Sequence, residues 1–191
     1  NICKSIHLPV QSGSNNILKK MNRQHTREEY FELISNIKKL IPDCGISHDM
    51  ITGFPNETDQ DHQDTLDLMR RVKYDYGFMF AYSERPGTMA ARKIKDNIPE
   101  TVKKKRLKEI IDLQREHSNY RTNQFLGKNV TVLIEKASKK SSDFWSGRTT
   151  QNTVVVFPKQ NYKVGDFVDV LIENCTSATL IGSAIDYSKD L

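Results

Sequence analysis

The chain has 191 residues, 37% hydrophobic and 28% charged, which suits one large or two modest globular domains and excludes a wholly disordered chain. No apolar run reaches the roughly 18 residues of a membrane span and no signal peptide is evident, so the expected setting is the cytoplasm with no membrane partner. The formal charge of +5 is uneven: residues 92–140 hold 14 Lys and Arg against 6 Asp and Glu, while the rest holds 15 against 18. Such a concentration suits a polyanion such as nucleic acid, with a solvated basic helix as the plainer reading.

Ser5 to Val10 reads as a short strand and Asn15 to Met21 as a short helix. Thr26 offers an N-cap with acids in the first turn, and Tyr30, Leu33, Ile34, Ile37, Leu40 and Ile41 then repeat at helical spacing up to Pro42. Gly45 leads into a strand ending near Gly53, Thr58 with Asp61 forms a capping-box pattern for a helix to about Val72, and Tyr76 to Tyr82 is a further strand. Strand and helix alternate, which predicts a parallel sheet with crossover helices. Three strands cannot close a barrel, so the sheet is expected to be open. Arg85-Pro86-Gly87-Thr88 opens a linker, and a long helix runs from about Pro99 to Tyr120 with Leu107, Ile110, Ile111 and Leu113 on its apolar side.

Beyond Gly127 the pattern changes to short β runs: Val130 to Ala137, Phe144 to Thr149, Val154 to Phe157, Phe167 to Glu173 and Thr179 to Ile185. Five short strands punctuated by Gly, Pro, Asn and Ser predict a small OB-like barrel. The domain division is placed at 1–122 and 123–191. Cys3, Cys44 and Cys175 are far apart and form no CxxC pattern, so neither a disulfide framework nor a self-contained metal site is expected. The chain opens on Asn1 just before a strand and reads as part of a longer protein.

The polar residues follow the apolar runs. Gln11-Ser12-Gly13-Ser14 follows the first strand, Met21-Asn22-Arg23 follows the short helix, and Asp49 to Thr58 ends the next strand. Parallel strands deliver such groups to a shared rim. Gln11 brings an amide, Arg23 a cation, Asp49 a carboxylate and Gly53 a tight turn. Each also has a plainer role: Gln11 as a turn cap, Arg23 as a surface charge, Asp49 as a structural partner, and Glu57 with Thr58 as helix caps. His48 reads as structural or solvent-facing.

Gly53-Phe54-Pro55-Asn56-Glu57-Thr58 and Tyr82-Ser83-Glu84-Arg85-Pro86-Gly87-Thr88, in this order, resemble the GFPxET and YSxRPGT segments of the radical S-adenosylmethionine (SAM) tRNA methylthiotransferase family. The chain departs from that pattern at His48, where Thr is common, and at Asn56, where Gly is common. The resemblance implies an α/β partial, open TIM-like radical SAM barrel followed by an all-β, OB-like TRAM barrel. It implies SAM-binding roles for Gln11, Ser12, Arg23, Asp49, Gly53, Glu57 and Tyr82, with Arg23 on the SAM carboxylate and Gln11 and Asp49 on the ribose and methionyl part. It identifies no catalytic side chain.

Leu126-Gly127-Lys128, Leu133-Ile134-Glu135, Gly147-Arg148-Thr149, Val164-Gly165-Asp166 and Ile181-Gly182 carry the likeness to TRAM. That likeness makes Lys128, Lys136, Lys139, Lys140 and Arg148 candidates for phosphate contact and Phe144 and Trp145 candidates for base stacking, or else for barrel core. The family reaction adds a methylthio group to carbon 2 of N6-dimethylallyladenosine beside the tRNA anticodon, using SAM and two 4Fe–4S clusters. Such a protein meets the tRNA anticodon stem-loop together with sulfur and electron donors, and is expected as a monomer. The cluster-binding cysteine triad is absent here, so the ligands are expected outside this chain and the chain alone is expected to be inactive. Two relatives in the family, one acting on a ribosomal-protein aspartate and one on threonylcarbamoyladenosine in tRNA, remain alternatives, as does a non-catalytic RNA-binding module. Gly147 to Pro158 contains Arg148 and no acid, which favours RNA over a basic protein.

Overall fold

A computed structural model describes residues 2–185, which divide into two compact units. One comprises residues 6–42 and 46–117; the other comprises residues 118–185 with the short segments 2–5 and 43–45.

The first unit is built on a three-stranded sheet in the order β1 (Ser5–His7), β2 (Gly45–Thr52) and β3 (Tyr76–Ala81), with β2 and β3 parallel. Helices α1 (Asn15–Lys20), α2 (Arg27–Leu40) and α3 (Asp59–Val72) alternate with the strands, as the sequence pattern predicts. α2 and α3 each begin with a capping box, Thr26 with Glu29 and Thr58 with Asp61, which satisfies backbone N–H groups that a helix start leaves unpaired. Burial alternates along the pleat. Met50 and Thr52 are buried on one face, whereas Asp49 and Ile51 pair in register with Phe78 and Phe80 on the other, where both phenylalanines are about half exposed. The sheet thus has one packed face and one open face.

Three sequence expectations need correction. The first strand stops at His7 instead of Val10, where Pro9 has no N–H to extend the ladder, and Gln11, at φ 73°, meets β2 again through a single parallel bridge to Met50. The expected linker contains a short helix, α4 (Met89–Lys93), capped by Thr88. The long helix α5 (Glu100–Asn123) has a buried face of a different kind from the one expected. Lys103, Arg106, Ile110, Gln114 and His117 are the buried stripe at helical spacing, and only Ile110 among them is apolar. Leu107, Ile111 and Leu113 are only partly buried. Lys103 and Arg106, counted in sequence as part of a basic stretch, are therefore interior groups.

The second unit is a closed five-stranded barrel in the order β4 (Asn129–Ala137), β5 (Phe144–Arg148), β6 (Val154–Pro158), β8 (Thr179–Ala184) and β7 (Phe167–Cys175). β6 and β8 run parallel and the other pairs antiparallel, so every strand edge is paired. Val132, Ile134, Val155, Phe157, Val168, Val170, Ile172 and Leu180 form its core. Alternating residues of β4 and β7 point inward, as the pleat of a strand requires.

Candidate functional site

The open face of the first unit carries a cavity of about 810 Å³ at the ends of β2 and β3. Gln11, Arg23, Asp49 and Tyr82, four residues expected from sequence, line it together. Gln11 is held there by its backbone: its N–H donates to Asp49 O at 3.0 Å and its carbonyl accepts from Ile51 N–H at 2.9 Å. A left-handed φ at a non-glycine residue is uncommon, and here it turns the chain from the strand while keeping the amide at the cavity wall. Among the described residues nothing hydrogen-bonds that side-chain amide, although Gln11 is only 6% exposed.

Asp49 stands one residue beyond His48 on β2, and its Oδ1 lies 3.4 Å from His7 Nε2. Arg23 follows the C-terminal end of α1, exposed, and its guanidinium has no partner among the described residues. Tyr82 is fixed by an edge-on contact with Phe54, ring centroids 5.0 Å apart, and by Lys103 Nζ 5.6 Å from its ring centre. Its hydroxyl is buried with no hydrogen-bond partner among the described residues, and burial pushes its pKa above the usual phenol range. The remaining wall is apolar, from Ile51, Phe54, Phe80 and Met89, with Lys20 and Arg85 as two further cations. Arg85 carried a signal, as the central residue of YSxRPGT, but sequence reasoning gave it no role.

Ser12, Gly53 and Glu57 are not on the wall; they hold the loops that form it. Ser12 is fully buried, with its Oγ 3.3 Å from Thr65 Oγ1. Ser14 Oγ donates to Asp61 Oδ1 at 2.5 Å, so the first loop is stitched to α3. Gly53 has φ 71°, and a Cβ there would come within 2.5 Å of Lys103 Cγ. Its N–H donates to Glu57 Oε2 at 2.8 Å, and the same oxygen accepts from Arg106 Nη1 at 2.7 Å. Burial raises the Glu57 carboxyl above its ordinary range, opposed by the Gly53 N–H and by Arg106. Lys103 is tied to Asp96 at 2.6 Å and Glu100 at 2.9 Å. The buried polar stripe of α5 thus braces the loop that presents Phe54.

His48 is structural and not solvent-facing. It is fully buried, its Nε2 is 2.9 Å from Gln114 Oε1, and its ring lies against Tyr74 at 4.2 Å. Burial lowers its pKa to about 4, so the ring is neutral at physiological pH.

In the barrel, Lys136, Lys139 and Lys140 are exposed around the β4–β5 connection, near half-buried Phe144 and Trp145. Lys128 is also exposed but precedes β4, at the far end of that strand. Trp145 packs against the barrel core, and Lys159 Nζ sits 4.4 Å from its ring centre. Lys159 is a cation that sequence reasoning missed. Arg148 is half-buried and held by Asn152, with both contacts at 2.9 Å, and by Glu135 at 3.4 Å.

The radical SAM superfamily matches residues 1–69 and the TRAM domain matches residues 123–185. The chain thus carries one segment similar to the radical SAM superfamily and another similar to the TRAM domain. Curated relatives named tRNA-2-methylthio-N(6)-dimethylallyladenosine synthase are similar along its whole length. The one from Christiangramia forsetii is 68% identical over 100% of this chain and 40% of its own length. The one from Flavobacterium johnsoniae is 61% identical over 99% of this chain and 39% of its own. The chain therefore spans about 40% of the length of these relatives. Among solved structures, coproporphyrinogen III oxidase (HemN) from Escherichia coli, described as a radical SAM enzyme, shares the fold with a TM-score of 0.51 at 16% identity, covering 77% of this chain and 41% of that one.

The cavity fits SAM. An unpartnered amide, an unpartnered guanidinium, a carboxylate and an orphaned phenol face an apolar wall, and SAM offers groups to answer each. The chain does not fit an iron–sulfur cluster: Cys3 is exposed, Cys44 buried and Cys175 half-buried in the barrel, and among the described residues no three His, Cys, Asp or Glu converge.

Proposed function

We propose that this chain is the SAM-holding and RNA-holding part of a tRNA methylthiotransferase that adds a methylthio group to carbon 2 of N6-dimethylallyladenosine beside the anticodon. The observation that carries the proposal is the joint placement of Gln11, Arg23, Asp49 and Tyr82 on one cavity wall, three of them with polar groups that no described residue satisfies. In this reading the three-stranded sheet is part of an open TIM-like barrel. Arg23 holds the SAM carboxylate through a charge-assisted pair, Asp49 accepts from the ribose diol or the amino group, and the Gln11 amide completes the methionyl side. Phe54 and Tyr82, braced by Glu57, Arg106 and Lys103, form an apolar wall for the adenine and exclude water there. SAM bound in this way supplies the radical-generating and methyl-donating chemistry that a C–H bond without an acidic proton requires.

The two 4Fe–4S clusters of this reading take their ligands from outside the chain, so the chain alone is inactive. Lys136, Lys139 and Lys140 hold the tRNA phosphates electrostatically, and the neighbouring aromatics stack on its bases. The protein works as a cytoplasmic monomer with separate sulfur and electron donors, and no helix among the described residues is long and apolar enough to cross a membrane.

Mass spectrometry of tRNA nucleosides tests the proposal. The full-length, cluster-loaded protein with SAM and reductant should yield 2-methylthio-N6-dimethylallyladenosine, and the 191-residue chain should yield none. Product from the chain alone, or modification only of threonylcarbamoyladenosine or of a protein aspartate, contradicts it.

A further inference from the structure

The cavity carries more positive charge than SAM calls for. Its lining holds Lys20, Arg23 and Arg85 against the single carboxylate of Asp49. SAM brings one carboxylate but also an ammonium and a sulfonium, so one cation answers its only anionic group and further cations beside it are repulsive. The charges are also graded by depth. Gln11 is 6% exposed, whereas Arg23 and Arg85 are exposed residues at the mouth. Lys20 is committed to the Asn56 carbonyl at 3.3 Å, but the guanidinium of Arg85 meets no partner among the described residues.

Arg85 is nonetheless held in place by its backbone. Its carbonyl accepts from Thr88 N–H at 3.3 Å and from Thr88 Oγ1 at 2.9 Å across Pro86 and Gly87, and Gly87 has φ 86°. That is a type II turn, with Pro and Gly at the positions the turn favours. A guanidinium at the corner of a stiff turn, facing outward at the mouth, suits a phosphodiester arriving from solvent better than a small zwitterion lying on the floor.

We propose that Arg85 is a phosphate-contacting residue for the RNA substrate at the mouth of the SAM cavity, distinct from Arg23, which takes the SAM carboxylate. The proposal rests on the function proposed above. Arg85 would hold the backbone of the nucleotide strand whose base enters the cavity, so part of the RNA grip lies in the first unit and not only on the TRAM barrel.

The test uses the full-length, cluster-loaded protein, with SAM titrated by calorimetry and an anticodon stem-loop RNA titrated at several salt concentrations. For Arg85→Ala, RNA affinity should fall on the order of tenfold, the usual loss for one charge-assisted contact, and the salt slope should drop by about one. SAM affinity should stay within about twofold of the parent, and Arg85→Lys should restore the salt slope. A fall in SAM affinity with RNA binding intact would overturn the proposal by placing Arg85 on SAM, while the SAM-cavity reading would stand. Unchanged affinity for both would overturn it as well. A parent protein that binds no SAM would bring down the proposed function and this inference together, and the parent titration identifies that case.

Discussion

Arg106→Met should destabilise the first unit by about 3 kcal/mol at neutral pH, and the deficit should depend on pH. The Glu57 side chain is 1% exposed and the Arg106 side chain 7%, with Nη1 and Oε2 at 2.7 Å. Removing one partner of a buried pair typically costs about 3–5 kcal/mol because the other charge is left uncompensated. The lower end applies here, since the Gly53 N–H continues to donate to Glu57. The second contact of Arg106, to Asp59, involves a carboxylate 99% exposed and adds little. The Glu57 carboxyl already titrates above its ordinary value because of burial. An acid whose folded pKa is raised binds its proton more tightly when folded, so its contribution to stability falls as pH rises through that window. Loss of Arg106 extends the window upward, and the deficit should therefore shrink as pH falls toward the reference value of 4.5.

Adding Glu57→Gln should recover most of the loss, because the carboxylate left without its partner is then removed. Urea unfolding followed by far-UV circular dichroism reads the first unit, which holds most of the helix. A deficit below about 1 kcal/mol, or one equal at pH 5 and pH 8, would refute the reasoning.

Three other predictions address His48, Gly77 and the barrel. His48 titrates near 4 when folded against 6.5 as a reference, so stability should weaken as pH falls between those values, and His48→Gln should flatten that slope. Gly77→Ala places a Cβ 2.2 Å from His48 Nε2, whose ring Gln114 holds in place, and should cost about 1–3 kcal/mol in the same unfolding assay. Charge reversal at Lys139 and Lys140 should weaken tRNA binding by the full-length protein and make its salt dependence shallower; identical slopes would mark these lysines as solvated only.

What the sequence made legible was local. Thr26 with Glu29 and Thr58 with Asp61 announced two helix starts because a capping box needs only three residues of separation. The five β runs of the barrel were visible as short runs punctuated by Gly, Pro, Asn and Ser. Gln11, Arg23, Asp49 and Tyr82 were found from their motifs, and the structure gathers them on one wall. The bracing layer was hidden for a physical reason: its partners lie far apart in sequence. Glu57 meets Arg106 across 49 residues and His48 meets Gln114 across 66. Hydrophobic periodicity misread α5, whose buried stripe is Lys103, Arg106, Ile110, Gln114 and His117. A helix that packs through ion pairs and amides leaves no apolar signal, and its interior cations pass for surface charge. α4 was missed because five residues give no period to detect.

The central claim is that Arg23 and Asp49 hold SAM. Calorimetric titration of SAM into the full-length, cluster-loaded protein tests it most directly, with cluster content checked by absorbance in each variant. Arg23→Ala should weaken SAM binding by roughly 1.5–3 kcal/mol, the range for a hydrogen bond to a charged group, and Asp49→Asn should also weaken it with cluster content unchanged. Parent-like affinity in both variants would remove these residues from the site and contradict the account.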